Sequence, residues 1–287
     1  MNQKSATKSI LLKYGFLTKH RLGQNFLIDD DVPPQIAEDA AVNENDHVLE
    51  IGPGVGSLTK VLCERAAFVT SVEVDEKLIG ILNEELKDYR NVSLVHADIL
   101  KTDLQEISQR HPQCTFKVVA NLPYYITTPI LMKLLEASLP LQSITVMVQK
   151  EVADRMTASS GSKAYGSLSL AVQYYARAQI MQTVPPEAFL PAPKVSSAVV
   201  RLLLYENAPV AVCDEKLLFR VIRAAFEQRR KTLINALANT AGIGLSKEEI
   251  AACVKDAGFS STVRGEALSL EQFAALSDRI GSAAGKH

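Results

Sequence analysis

The sequence is poor in the residues that build metal centres and covalent cross-links. Its four cysteines lie far apart and form no CxxC pair, so neither a zinc ribbon nor a disulfide framework is expected. The five histidines show no HxxxH spacing, and no metal site is predicted. This cysteine usage suits a reducing compartment, which makes the cytoplasm the expected location.

Long apolar runs and an excess of charge are also lacking. No apolar run reaches the roughly 18 residues of a membrane span, so no membrane association is expected. A net charge of -1 argues against extended wrapping of nucleic acid but allows a local basic surface. The first 24 residues contain five basic residues and no acid. They resemble a transit peptide, but their single arginine favours an ordered or RNA-facing basic arm. The basic residues are Lys4, Lys8, Lys13, Lys19 and Arg21.

The length and pattern of the chain predict two domains after this arm. A chain of 287 residues exceeds the roughly 100–200 residues of one domain. Strand patterns end near Leu204, the linker Tyr205–Pro209 follows, and only helical patterns come after it. We therefore expect a basic arm over 1–24, an α/β domain over 25–207 and a helical domain over 208–287.

A strand, a glycine turn and a helix are predicted from His47 to Thr59. Gly52, Gly54 and Gly56 stand at alternate positions, where the absence of a side chain lets a ligand approach the backbone. Ser57 is predicted to cap the following helix. The spacing is GxGxG, not the GxGxxG of dinucleotide-binding folds, so the glycines alone do not identify the ligand.

Acidic side chains end the next two predicted strands. Glu73 ends Phe68–Glu73 and could accept hydrogen bonds from both ribose hydroxyls of an adenosine-containing cofactor. Asp98 ends Val92–Asp98 and could accept from the adenine amino group. Either acid alone could be a solvated residue, but their successive positions favour a cofactor site. NAD and S-adenosylmethionine would both fit; no hydride-acceptor site with a histidine or lysine is evident, which favours S-adenosylmethionine.

The fourth apolar strand runs into Asn121-Leu122-Pro123-Tyr124. The amino group of a nucleobase is a poor nucleophile because its lone pair is delocalised into the ring. The Asn121 side-chain oxygen and the Leu122 carbonyl could hold both N–H bonds and turn the lone pair outward. Tyr124 could stack on the base. The alternative is a strand that simply enters a proline turn.

Two other segments could complete such a site. Asn25 could bind the polar end of a ligand while Phe26 and Leu27 cover its apolar part, or the segment could be a turn with two core residues. Pro185–Pro193 predicts a stiff loop that could present Phe189. The alternative places Phe189 in the core.

A basic surface is predicted on an amphipathic helix that Asp214 caps. Its apolar stripe faces the core, and the helix is expected to end near Gln228. The residues after it would then form a basic corner that contacts phosphates, although a merely solvated face is the alternative. The candidate RNA-binding residues are Arg220, Arg223, Arg229, Arg230 and Lys231.

These motifs together resemble the 16S type of the ribosomal RNA adenine dimethyltransferase family. The matching segments are Gln24–Leu27, Glu50–Gly56, Glu73, Asp98, Asn121–Tyr124, Pro185–Ser197 and Phe226–Asn235. The resemblance implies a Rossmann-like S-adenosylmethionine-dependent methyltransferase domain and a small α-helical C-terminal domain. The implied cofactor residues are Asn25, Leu27, Gly52, Gly54, Glu73, Asp98 and Asn121. The implied target-base residues are Asn121, Leu122, Pro123 and Tyr124, with Phe189 as a second aromatic.

The resemblance also implies dimethylation of two adjacent adenosines in a hairpin loop near the 3′ end of 16S rRNA. The expected partner is 16S rRNA or the small-subunit precursor, and a monomer is expected. The segment Arg264–Phe273 and the pI of 6.5 favour this branch over the 23S resistance enzymes. A non-catalytic ribosome-assembly module and a small-molecule methyltransferase are further alternatives. Glu227, inside the basic run, departs from the family pattern and leaves the RNA contacts less defined than the pocket.

Overall fold

A seven-stranded mixed sheet forms the centre of the protein, which we describe from a computed structural model over residues 5–16 and 24–285. The strands are β1 (Phe26–Leu27), β2 (Asp46–Ile51), β3 (Phe68–Glu73), β4 (Val92–His96), β5 (Thr115–Asn121), β6 (Leu141–Gln149), β7 (Ala176–Val184), β8 (Phe189–Leu190) and β9 (Ser197–Leu204). The helices are α1 (Ala6–Lys13), α2 (Val32–Asp39), α3 (Ser57–Arg65), α4 (Glu76–Glu85), α5 (Leu104–Ser108), α6 (Thr127–Glu136), α7 (Lys150–Met156), α8 (Ser167–Tyr175), α9 (Glu215–Glu227), α10 (Leu233–Ala238), α11 (Lys247–Asp256) and α12 (Leu270–Ala284).

The strand order is β4-β3-β2-β5-β6-β9-β7. Strands β2 to β6 pair in parallel, and β9 pairs antiparallel with β6. The chain moves outward from β2 to β4 on one side and then returns to place β5 on the other side. The carboxyl ends of β2 and β5 therefore flank the switch point of the sheet, where open α/β sheets bind ligands.

Apolar β-branched runs explain the central strands. Val48 in β2 and Val118 and Val119 in β5 are completely buried, as expected for strands covered on both faces. Strand β3 has the predicted bounds, whereas β4 ends at His96, before Asp98. The predicted Ser57 cap is wrong: Gly56 occupies the cap position of α3, and the Ser57 hydroxyl instead pairs with that of Thr7.

Two compact units divide the chain. The first contains the described residues up to Ala153 together with Ala178–Leu204, and the second contains Asp154–Arg177 together with the residues from Tyr205 onward. The sequence-based boundary assigned Asp154–Arg177 to the α/β domain. These residues join the helical unit because Tyr165 is buried in its core and its hydroxyl donates to the Leu268 carbonyl at 2.9 Å.

The helical unit is organised around α9. Asp214 caps this helix by accepting from the Leu217 backbone N–H, and the helix ends at Glu227 with Gln228 as its C-cap, so both predictions are confirmed. Val221 and Ile222 on its apolar stripe pack into the core of this unit. The opposite side of the helix carries exposed basic residues.

The predicted basic arm is partly an ordered helix of the first unit. Ile10 and Leu11 of α1 pack in one cluster with Phe26 and Val55. Lys13 forms an ion pair with a carboxylate of α4 at 2.8 Å, and Lys8 is exposed. Lys4, Lys19 and Arg21 lie outside the described residues. No helix in 5–16 or 24–285 is long and apolar enough to cross a membrane.

Candidate active site

A cavity of about 290 Å³ opens at the carboxyl ends of β2, β3, β4 and β5. Parallel strands place their carboxyl ends on one edge of the sheet, so the residues that follow each strand converge there. The predicted cofactor residues all line this cavity, as does the segment Asn121–Tyr124. The lining residues predicted from the sequence are Asn25, Leu27, Gly52, Gly54, Glu73, Asp98, Asn121, Leu122, Pro123 and Tyr124.

The glycine turn after β2 forms a close-packed wall of the cavity. Gly52 and Gly54 have φ angles of +69° and +62°, which side chains rarely adopt. A Cβ atom at Gly54 would lie 3.3 Å from Cδ1 of Phe26. A side chain at this position would therefore strain the turn and crowd the wall on which a ligand would rest.

Glu73 is held by the turn that follows β3. Its Oε1 accepts from the backbone N–H groups of Val74 and Asp75, both at 2.9 Å. Burial raises the pKa of Glu73, and hydrogen bonds from the backbone of Asp75, Val74 and Gly54 oppose that rise. The carboxyl group is fixed at the cavity wall, where it can accept from ribose hydroxyls.

Asp98 lies beyond the end of β4, whereas Glu73 is the last residue of β3. Oδ1 of Asp98 accepts from the Leu100 backbone N–H at 2.9 Å, and this hydrogen bond orders the loop that follows β4. Val74 and Leu100 are large apolar residues with exposed fractions of 51% and 37%, and both line the cavity. Sequence reasoning missed these two residues, although each closely follows a predicted acid. Their side chains suit contact with a planar ring such as adenine.

Glu50 is a third residue that sequence reasoning did not assign to the site. It is almost completely buried at the end of β2, and its Oε2 accepts from the Thr59 and Ser71 hydroxyls, each at 2.7 Å. Burial raises the pKa of Glu50 to about 7. The signal in the sequence was an acidic residue within an apolar strand, close to the glycine turn.

The tetrapeptide lies at the end of β5. Asn121 pairs with Met147 in the sheet, and the Leu122 N–H donates to the Met147 carbonyl at 3.1 Å. The Pro123 carbonyl accepts from the Thr127 hydroxyl at 3.0 Å. Burial raises the pKa of Tyr124, and a hydrogen bond with Ser197 opposes that rise.

Phe189 is the predicted site residue that the structure places elsewhere. It lies in β8, opposite Leu27 of β1, and only 2% of its surface is exposed. Its side chain packs in the core with Ile36, Val48 and other apolar residues, and it does not line the cavity. This placement corrects the expectation that the proline-rich segment presents Phe189 beside a base, and it agrees with the alternative of a core residue.

The basic residues of the helical unit fall into two groups. Arg229 donates to Glu266 at 3.1 Å and to the Lys163 carbonyl at 2.8 Å, and Arg220 donates to the Gly242 carbonyl. The guanidinium group of Arg229 therefore links two loops of its own unit, and its contact with phosphates stays a prediction. The exposed residues Arg223, Arg230 and Lys231 complete the predicted set.

The donor set of the cavity fits S-adenosylmethionine. Buried Glu73 can accept from ribose hydroxyls, the apolar residues Val74 and Leu100 can contact adenine, and the glycine wall leaves room for the chain that bears the sulfur. Within 5–16 and 24–285, no group of three or more histidine, cysteine or acidic residues could hold a metal ion. The fold and this site define a Rossmann-like S-adenosylmethionine-dependent methyltransferase.

The model of the family described as "Ribosomal RNA adenine dimethylase" matches residues 15–280. The chain belongs to this family. Ribosomal RNA small subunit methyltransferase A of Lachnoclostridium phytofermentans is 53% identical over 276 residues, which are 96% of this chain and 95% of the relative.

Two solved structures are similar to this chain. A dimethyladenosine transferase from Plasmodium falciparum superposes with a TM-score of 0.69 at 24% identity, over 86% of this chain and 94% of that chain. A 23S rRNA methyltransferase superposes with a TM-score of 0.66 at 28% identity, over 90% of this chain and 100% of that chain.

Proposed function

We propose that this protein dimethylates adenine N6 in 16S rRNA, with S-adenosylmethionine as the methyl donor, during assembly of the small ribosomal subunit. The main support for the proposal is that the cofactor residues and the segment Asn121–Tyr124 line one cavity. A site for the donor and a site for a planar amine are thus contiguous. The 53% identity to a small-subunit enzyme supports the choice of RNA.

The target adenosine enters this cavity unpaired or flipped out of its helix. Inside a stacked helix, N6 cannot reach a pocket in the protein. A hairpin loop meets this requirement at low cost, because its bases are already unpaired. Two adjacent adenosines in a loop near the 3′ end of 16S rRNA are the proposed targets.

The tetrapeptide prepares the amine for attack. The side-chain oxygen of Asn121 and the carbonyl of Leu122 accept the two N6–H bonds, which directs the nitrogen lone pair away from the ring system. The Pro123 carbonyl already accepts from the Thr127 hydroxyl, so Leu122 is the better second acceptor. Bound S-adenosylmethionine supplies an electrophilic methyl group. Orientation supplies most of the rate, because the neutral amine needs no base before it attacks.

RNA contacts come from the helical unit. Exposed Arg223, Arg230 and Lys231 can neutralise phosphates, whereas Arg220 and Arg229 support the loops around them. This basic surface disfavours a small-molecule substrate. The widely spaced cysteines suit a reducing compartment, so we expect a cytoplasmic enzyme, and we propose that it acts as a monomer.

Methylation of defined RNAs tests the proposal. Labelled S-adenosylmethionine is mixed with small-subunit particles, naked 16S rRNA and 23S rRNA from cells that lack the enzyme, and the products are analysed by mass spectrometry. We expect two dimethylated adenosines in 16S rRNA. The Asn121→Ala change should reduce single-turnover methylation by about 100-fold, as displacement of reacting groups does. Asn83→Ala, on the exposed face of α4, is the matched control. Methylation of 23S rRNA alone would identify the alternative enzyme, and no transfer to any RNA would indicate an assembly factor.

A further inference from the structure

The hydroxyl of Tyr124 is joined to a residue far away in the sequence. Its Oη lies 2.7 Å from Oγ of Ser197, with either group able to donate. Tyr124 begins a short 3₁₀ turn after β5, and Ser197 is the first residue of β9. The contact therefore links the proposed base-binding turn to the sheet.

Ser197 is the rigid member of this pair. It is completely buried and stands opposite Gln149 in the ladder of β6 and β9. The neighbouring carbonyl of Ser196 accepts from the Lys150 backbone N–H at 2.9 Å. The backbone around Ser197 is thus held by the sheet, so its hydroxyl has a fixed position.

Tyr124 is the member that needs orientation. Its side chain is half-buried and lines the cavity, and its ring can turn about two side-chain torsions. A ring that stacks on a base must present its face at a defined angle. A hydrogen bond at the far end of the ring fixes the direction in which the ring points and leaves its face free.

We propose that Ser197 is a positioning residue for methyl transfer, which holds Tyr124 through its hydroxyl in the orientation that stacks the target adenine. The inference rests on the proposed function, because it assigns Tyr124 to the base. Ser197 itself touches neither the base nor the methyl donor. Loss of the serine hydroxyl should therefore affect catalysis only through the tyrosine hydroxyl.

A double-mutant cycle tests this dependence. Ser197→Ala, Tyr124→Phe and the double variant are compared in single-turnover methylation of small-subunit particles, with Ser196→Ala as the control. A hydrogen bond of ordinary strength predicts a loss of about three- to tenfold in each single variant. The double variant should be no slower than either single variant, and Ser196→Ala should match the wild type. The dissociation constant for S-adenosylmethionine should stay unchanged.

Multiplicative losses in the double variant, or full activity of Ser197→Ala, would overturn the proposal. If Ser197→Ala fails to fold, Tyr124→Phe decides: a wild-type rate refutes the role of the hydroxyl, and a slower rate with intact cofactor binding supports it.

A second measurement separates this inference from the proposed function. A 2-aminopurine at the target position of the RNA hairpin should be quenched by stacking in the wild type and less quenched in both single variants. If wild-type protein transfers no methyl group, the proposed function fails, and the quenching comparison alone decides the role of Ser197.

Discussion

Replacing Glu50 by glutamine should remove a large pH dependence of stability. Glutamine has the same shape, and its side-chain oxygen can still accept from the Thr59 and Ser71 hydroxyls that now donate to Glu50. The substitution therefore removes the ability to ionise while it keeps the packing. Its effect on the free energy of unfolding should appear at pH values at which Glu50 is protonated in the folded protein but ionised in the unfolded chain.

The magnitude follows from the displaced pKa. Burial raises the pKa of Glu50 from 4.5 to about 7 in the folded protein. Below pH 4.5 the acid is neutral in both the folded and the unfolded chain, so its full contribution is present. Between pH 4.5 and about 7 the unfolded chain releases this proton while the folded protein retains it, so the contribution falls with pH and is lost once the pH has risen through the folded pKa. At about 1.4 kcal/mol for each tenfold change in acidity, the full loss is about 3.5 kcal/mol.

Urea unfolding of wild type and Glu50→Gln at pH 5 and pH 8 measures this loss. The chain lacks tryptophan, so unfolding is best followed by far-ultraviolet circular dichroism. Because pH 5 already lies above the unfolded pKa, part of the loss has occurred there, and we expect the variant to gain about 2.5 kcal/mol relative to wild type between the two pH values. Other titrating groups cancel in the comparison. Glu84→Gln, on the exposed face of α4, should show little change. Parallel pH profiles for wild type and Glu50→Gln would refute the assignment of a neutral buried acid.

Three other outcomes are expected. Gly265→Ala would place a Cβ atom 2.7 Å from a methyl group of α9 and should destabilise the protein by about 1–3 kcal/mol in urea unfolding. The control is Gly80→Ala in α4, where the Cβ atom would meet open space, so this change should be neutral or stabilising. Equal losses of stability in the two variants would contradict the steric explanation. Glu73→Ala should weaken S-adenosylmethionine binding at least tenfold in calorimetry while the fold is retained; unchanged affinity would remove Glu73 from the cofactor site. Arg230→Gln and Lys231→Gln should each reduce the salt dependence of RNA binding by about one counterion, and an unaltered slope would show that these side chains do not contact phosphates.

Much of the site followed from the sequence because its residues stand at the ends of strands. The apolar run that forms β3 has the predicted bounds and ends at Glu73. Asn121 likewise ends an apolar run, so local pattern alone placed it at the carboxyl edge of the sheet. Parallel strands align their ends, and residues far apart in the chain therefore converge without any knowledge of detailed packing.

Side-chain partners were not decided by local pattern. Phe189 stands in a proline-rich segment in which a core residue and an exposed residue have the same sequence signature. Its burial became visible only in the structure, where β8 pairs with β1 and the ring packs in the core. Arg229 follows the end of α9 as predicted, but Glu266 reaches it from a distant loop. The serine hydroxyl on Tyr124 likewise comes from β9, far along the chain.

The sequence by itself determined the strands that end at Glu73 and at Asn121, the glycine turn, and the helix that Asp214 caps. Those features depend on short-range periodicity and on backbone preferences of single residues. Tertiary structure decided which polar group meets which partner and which apolar ring is buried. Such contacts depend on the packing of segments that are distant in sequence, and short-range pattern carries no record of that packing.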